Sequence, residues 1–230
     1  MDKTFDVAAL GEAMLEFNQT RPGEPSYLQG FGGDTSNAAI AAARAGARVA
    51  YLSRIGADTF GERLLELWAA EGVDARAVER DASAPTGLYF VTHGASGHEF
   101  SYLRAGSAAS RMTPDWLQHG PAARVIASSR YLHVSGISLA ISVSACDTVF
   151  AAMRLARDSG TQVSLDSNLR LKLWPLDRAR ACIRQAVALC DVFAPSLEDI
   201  SALTGLSDPD AIADWGHELG AATVVLKLGA

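Results

Sequence analysis

Gly30-Phe31-Gly32-Gly33-Asp34 leads into Thr35-Ser36-Asn37-Ala38-Ala39-Ile40-Ala41-Ala42-Ala43-Arg44-Ala45, and Gly46 ends the run. Alanine is the best helix former, and a glycine just past the last turn supplies the left-handed residue that closes a helix. The pattern predicts a helix over 35–45, entered from a glycine-rich turn. On one side, Phe5 to Leu10 is a short apolar run ending at Gly11, which reads as a buried strand. Residues 12–31 between them read as irregular or extended, with turn chemistry at Arg21-Pro22-Gly23-Glu24-Pro25. On the other side, 49–55 reads as a second strand. Gly56-Ala57-Asp58 then opens a helix that runs to about Glu71 and is stopped by Gly72. Strand–helix–strand–helix order predicts a parallel sheet joined by crossover helices.

The rhythm then breaks. Residues 86–93 and 98–104 are rich in strand formers and joined by Gly94-Ala95-Ser96-Gly97, which predicts a hairpin standing off the main sheet. Beyond Ala105 the alternation returns. Helices are expected at 114–119, 143–159, 176–189, 198–203 and 208–219, and strands at 131–135, 163–166, 192–194 and 223–227.

Across 230 residues, 49% are hydrophobic and 20% charged, which excludes a disordered or collagen-like chain and allows a sizeable core. The formal net charge of -6, with no basic run, argues against nucleic acid as a partner. Cys146, Cys182 and Cys190 are an odd set without pairing spacing; they read as buried thiols in helices, not as a disulfide framework or a zinc site. No histidine shows ligand spacing with another, and the four tryptophans read as packing residues. No leader is visible, and no apolar stretch approaches the roughly 18 residues of a membrane span. The expectation is a cytoplasmic protein without membrane partners.

Three stretches could carry chemistry. Gly32-Gly33 ahead of a helix lets backbone approach a polar or anionic ligand, although the same residues would equally make a plain strand-to-helix turn. Asp166-Ser167-Asn168-Leu169-Arg170 follows a strand, where open α/β sheets bind ligands; an ordinary Asx turn would look the same. Alternation puts Tyr102 and Arg104 on one face, where they could also be a solvated edge. No phosphate-binding Gly-x4-Gly-Lys-Ser/Thr loop, dinucleotide fingerprint or Gly-x-Ser-x-Gly elbow occurs, which disfavours a Rossmann oxidoreductase and a serine hydrolase.

Together these motifs resemble the ribokinase-like (PfkB) carbohydrate kinases, from Val7 to the last residue. The resemblance is carried by Gly32-Gly33, Asn37, Ala39, Gly46 and Gly56, and continues through Gly56-Ala57-Asp58-x-x-Gly61. Thr86-Gly87-Leu88-Tyr89, Tyr102-Leu103-Arg104-Ala105-Gly106-Ser107-Ala108, and Asp166 to Arg170 with Trp174 are similar to the branch that acts on keto-deoxy sugar acids. The resemblance implies an α/β fold: a ribokinase-like three-layer α/β/α sandwich with a small β lid from about 14–31 and 86–104. One kinase domain would span 1–230. It implies ATP-dependent phosphorylation of the terminal hydroxyl of 2-keto-3-deoxygluconate, with magnesium. Gly33, Asn37, Tyr89, Tyr102, Arg104 and Arg170 would line the sugar-acid pocket, and guanidinium groups suit a carboxylate. Asn168, Ser196, Lys227 and Gly229 would serve the nucleotide. Asp199 would help hold magnesium through phosphate or water. Sugar acid and ATP are the implied partners, and a homo-oligomer is compatible.

Two departures from the family pattern stand out. Ser196 and Asp199 replace the usual Asn and Glu of Asn-x-x-Glu. The Gly-Ala-Gly-Asp motif that provides the family's catalytic base and anion hole is absent from these residues, and the resemblance places its Asp beyond Ala230. The expectation is the N-terminal three-quarters of the fold, C-terminally truncated, with no catalytic base and poor or no turnover alone. A sibling kinase of fructose, ribose or another sugar acid stays open, as does a non-catalytic sugar-acid binding protein.

Overall fold

The computed structural model describes residues 3–94 and 97–229. The strands and helices of the first half are β1 (Phe5–Leu10), β2 (Met14–Gln19), β3 (Tyr27–Gly32), α1 (Asp34–Arg44), β4 (Val49–Leu52), β5 (Arg54–Gly56), α2 (Thr59–Ala70), β6 (Val73–Asp74), β7 (Glu79–Asp81), β8 (Leu88–Gly94) and β9 (Gly97–Leu103). Those of the second half are α3 (Pro114–His119), α4 (Ala122–Ala127), β10 (Ser129–Ser135), α5 (Gly136–Ala140), α6 (Val143–Asp158), β11 (Gln162–Asp166), α7 (Leu176–Val187), β12 (Val192–Ala194), α8 (Leu197–Thr204), α9 (Pro209–Glu218) and β13 (Thr223–Val224).

Seven strands form one parallel sheet in the order β13-β12-β11-β10-β1-β4-β6. Alternate side chains of each strand enter different cores. Ala8 and Leu10 of β1 pack with α3 to α9, whereas Val7 and Ala9 pack with α1 and α2. Both faces are therefore covered, as a parallel sheet requires. This is the three-layer α/β/α arrangement expected from the sequence. Local chemistry sets the helix starts: Asp58, Thr113, Ser142, Ser196 and Asp208 each accept a backbone N–H of the first turn. Trp68 Nε1 donates to Ser36 Oγ at 2.9 Å and joins α2 to α1 inside the smaller core.

A second sheet, β3-β2-β8-β9, stands at the carboxyl ends of the central strands. Of the two readings of 12–31, irregular or extended, the extended one holds: the segment contains two antiparallel strands, β2 and β3. β8 and β9 are the predicted antiparallel pair; the turn residues Ala95 and Ser96 lie outside the described residues.

Three expectations need correction, and two short helices were not foreseen. The single strand at 49–55 is broken at Ser53, whose hydroxyl donates to Gly11 O at 2.7 Å, so that β4 stays in the large sheet and β5 pairs with β7. The helices α4 and α5 are too short to show periodicity. The strand at 223–227 ends at Val224 and continues only as a bridge between Ser196 and Lys227. Cys190 lies beyond α7, and Cys146 and Cys182 are neighbours with sulfurs 3.9 Å apart. Among the described residues no helix is long and apolar enough to cross a membrane.

Gly136 opens α5 where β10 meets the loop after β11. A Cβ there would overlap the Ser167 carbonyl oxygen, which is backbone and cannot swing away. Gly136→Ala is expected to lower stability by about 2–3 kcal/mol in urea titration. Gly46→Ala, at φ +91 with open space around it, should lose only about 1 kcal/mol.

Candidate active site

The carboxyl ends of β1, β10 and β11 and one face of the second sheet enclose a cavity of about 400 Å3. Gly33, Asn37, Tyr89, Tyr102, Arg104 and Arg170, all singled out from the sequence, line it together, and Asn168 joins them. A cavity of similar size over the sheet beside α1 is lined by Ala38, Ala42, Tyr131 and His133; it is mostly apolar and lacks any such convergence.

Each lining residue has a local cause. Gly33 caps α1 at φ +113, and a side chain there would strike the backbone of Glu12 and Ala13. Asn37 sits one turn into α1, its backbone N–H donating to Gly33 O at 2.8 Å. Tyr89 and Tyr102 are directly opposed across β8 and β9, with ring centres 5.6 Å apart. Tyr89 donates its hydroxyl to Glu16, and Gly32 is bare where a Cβ would meet that ring. Burial, then the bond to Glu16, push the Tyr89 phenol far above its usual range. Asn168 is held at φ 30; its backbone N–H donates to Asp166 Oδ1 and its side chain to Asp34 Oδ2, at 3.1 and 3.0 Å.

Arg104 has a partner that the sequence did not reveal. Glu12, directly after the first strand, is buried, with 1% of its side chain exposed, and pairs with Arg104, whose side chain is 11% exposed. Ser107 Oγ also donates to Glu12. The glycine at 87 makes room for the carboxylate, since a Cβ there would lie 2.8 Å from Glu12 Oε1. The clue available in the sequence was an acidic residue next to the glycine that ends the first strand. Asp34 and Lys172, also on the cavity wall, were missed for the same reason: neither belongs to a spaced motif. Arg170 and Lys172 are exposed and enter no ion pair among the described residues.

Ser196, Asp199, Lys227 and Gly229 do not line this cavity. Ser196, Asp199 and Lys227 gather at the ends of β11, β12 and β13. Ser196 caps α8; Asp199 Oδ2 accepts from Ser167 Oγ at 2.6 Å and from Leu169 N at 3.1 Å. Lys227 Nζ lies 2.7 Å from Asp166 Oδ1. Gly229, two residues on, takes φ +86. Ala230, beyond which the family resemblance places the catalytic Asp, lies outside the described residues. Asp166 and Asn168 connect this group to the cavity. Among the described residues no three His, Cys, Asp or Glu side chains cluster for a metal. His93 and His98 meet across the β8–β9 hairpin, Nδ1 to Nδ1 at 2.7 Å, with Asn18 against His93 Nε2.

A parallel sheet with helices on both faces and a polar, cation-bearing cavity at the strand carboxyl ends defines a small-molecule-binding α/β protein. The chain belongs to the pfkB family of carbohydrate kinases, which it matches over residues 4–230. It is 37% identical to the 2-dehydro-3-deoxygluconokinase of Thermoproteus tenax, over 98% of this chain and 70% of that protein. The crystal structure of a PfkB protein from Polaromonas sp. JS666 superposes with a TM-score of 0.93 at 35% identity, covering 99% of this chain and 78% of that one. A fructokinase with bound ATP from Xylella fastidiosa gives 0.86 at 26% identity, over 98% and 69%. The ribokinase-like fold and kinase class read from the sequence are thereby borne out.

Burial raises the Glu12 carboxyl above its usual range, opposed by Arg104 and by the bond from Ser107. A carboxyl raised in the folded state holds its proton more tightly than in the unfolded chain. Its ionisation therefore removes stability as pH climbs above the unfolded value near 4.5. Glu12→Gln is expected to flatten that decline in urea midpoints measured against pH. Glu12→Ala, which strands the Arg104 cation, should lose about 3–5 kcal/mol.

Proposed function

We propose that this chain is the recognition part of a sugar-acid kinase that transfers the γ-phosphoryl group of ATP to the terminal hydroxyl of 2-keto-3-deoxygluconate. The observation that carries this reading is the convergence of Arg104, Arg170 and Lys172 on one cavity of an acidic chain. Guanidinium groups take a carboxylate through paired hydrogen bonds, and a neutral sugar has no use for that charge. Tyr89, Tyr102, Asn37 and the Gly33 backbone offer the hydroxyl-reading groups. The four-stranded sheet serves as the lid that keeps water from the transfer.

The nucleotide belongs beside Asn168, Ser196, Lys227 and Gly229. Lys227 is half exposed and pairs with both oxygens of Asp166, a solvent-accessible pair that it can exchange for a phosphate. Magnesium bound with a nucleotide neutralises phosphate charge. The residues present fit it loosely: Asp199 accepts its two protein hydrogen bonds at Oδ2, which leaves Oδ1 for a metal-bound water, and magnesium takes most of its ligands from phosphates and water. Positioning and charge neutralisation supply most of phosphoryl-transfer catalysis. The base that the family resemblance places in Gly-Ala-Gly-Asp is not among these residues.

A sibling reading, a fructokinase-type enzyme for a neutral sugar, is favoured by one observation: Glu12 already compensates Arg104. Calorimetric binding separates the two without requiring turnover. Arg170→Ala is expected to weaken 2-keto-3-deoxygluconate binding about 10–100-fold, the worth of a charge-assisted pair. Fructose that binds more tightly than the sugar acid and is indifferent to Arg170→Ala would establish the sibling reading instead.

A further inference from the structure

Cys146 and Cys182 lie 36 positions apart on different helices, yet their sulfurs are 3.9 Å apart. Cys146 is on α6, ahead of β11, and Cys182 is on α7, after the loop that carries Asn168 and Arg170. Cys146 is buried, whereas Cys182 is partly open to solvent; Cys190 is buried beyond the end of α7, with its thiol directed to Val187 O. No residue of the cavity or of the Asp166–Lys227 group touches the pair through a hydrogen bond among the described residues.

We propose that Cys146 and Cys182 form an oxidisable thiol pair that a peroxide converts to a disulfide, fastening α6 to α7 across β11. The two sulfurs must close by about 2 Å to reach bonding distance. The order of events follows from access. The Cys182 sulfur, as thiolate, attacks one oxygen of hydrogen peroxide; the O–O bond breaks, hydroxide leaves, and Cys182 becomes a sulfenic acid. The Cys146 sulfur then attacks the Cys182 sulfur, its proton goes to the departing hydroxyl, and water leaves. In sum, two thiols and one peroxide give one disulfide and two waters, with both sulfurs oxidised and both peroxide oxygens reduced. Burial, and then the neighbouring Cys182, hold the Cys146 thiol well above the usual thiol range. Cys146, buried and held in its protonated form, is thus suited to the second, intramolecular step.

The segment enclosed by the bond contains β11 and the loop after it. Oxidation should thus stiffen the stretch that presents Asn168 and Arg170, and a reducing compartment would return it to the open state. Closing a loop of this length restricts the unfolded chain and raises the melting temperature.

The test is peroxide treatment of the native protein, quenching, maleimide labelling after unfolding, intact mass and peptide mapping. The expected product is lighter by two hydrogen atoms, carries one maleimide at Cys190, and yields a cross-linked peptide of Cys146 and Cys182. Its melting temperature should exceed that of the dithiothreitol-treated protein by about 5 °C or more. Cys190→Ser should behave in the same way apart from the lost label, and Cys182→Ser should abolish both the link and the thermal shift. Three labelled thiols after peroxide, a link that includes Cys190, or stepwise addition of oxygen to Cys182 without a link would each overturn the proposal.

Discussion

A single buried carboxylate, Glu12, stands where the two sheets meet. β1 of the large sheet ends two residues before it, and β2 of the small sheet starts two residues after it. From the far end of the small sheet, Arg104 follows β9 and returns to pair with it. An ionised group so far from water is costly to hold, and it is tolerated only because Arg104 and Ser107 meet it. The glycines at 33 and 87 follow from the same requirement, since each leaves out a side chain that would press on Glu12. The angle between the sheets, the approach of α1 and the position of the Arg104 guanidinium are thus coupled to one interaction.

The parallel sheet supplies the second constraint. Every central strand points the same way, so the segments after β1, β10, β11, β12 and β13 all emerge on one edge. Residues distant in sequence can meet there without long side chains. Asp166 and Asn168 show the benefit: within three positions the chain contacts Lys227 of the last strand region and Asp34 at the start of α1. The left-handed backbone of Asn168 makes that double contact geometrically available, and a short polar side chain that can hydrogen-bond locally is among the few that accept it.

Much of this was legible in the sequence because it rests on local rules. The helix at 34–44, the capped helix after Asp58 and the Pro114 helix follow from propensity and capping, and they sit within a residue of expectation. The cavity residues were legible only as motifs whose physical content lies in three dimensions. Gly33 looked like a turn glycine, yet its role is to clear the backbone of Glu12. The rest was hidden because it depends on partners far along the chain. Nothing near Ser53 announces that its hydroxyl will bond Gly11 O and split a strand. Nothing near Cys146 announces Cys182, because helix packing, not spacing, brings them together. Glu12 was passed over for a related reason: an acid next to the glycine that ends a strand is a weak clue until the arginine 92 positions later arrives.

Charge gives the last step. A net charge of -6 disfavours an anionic ligand at long range, yet at physiological salt charges beyond roughly 8 Å are largely screened. What a bound carboxylate meets is set within the cavity. There Glu12 and Arg104 cancel, Asp34 is engaged by Asn168, and the exposed Arg170 and Lys172 remain as the cations in no ion pair among the described residues, Arg170 donating only to the Leu169 carbonyl. On the proposed sugar-acid reading, Arg104, held against buried Glu12, would fix orientation, because its guanidinium cannot follow a ligand that moves. The exposed rim pair would supply attraction, since neither side chain is fixed in an ion pair among the described residues. The division predicts different signatures for the two arginines: loss of Arg170 should cost most affinity at low salt and leave binding less sensitive to added salt, and loss of Arg104 should misplace the ligand whatever the ionic strength.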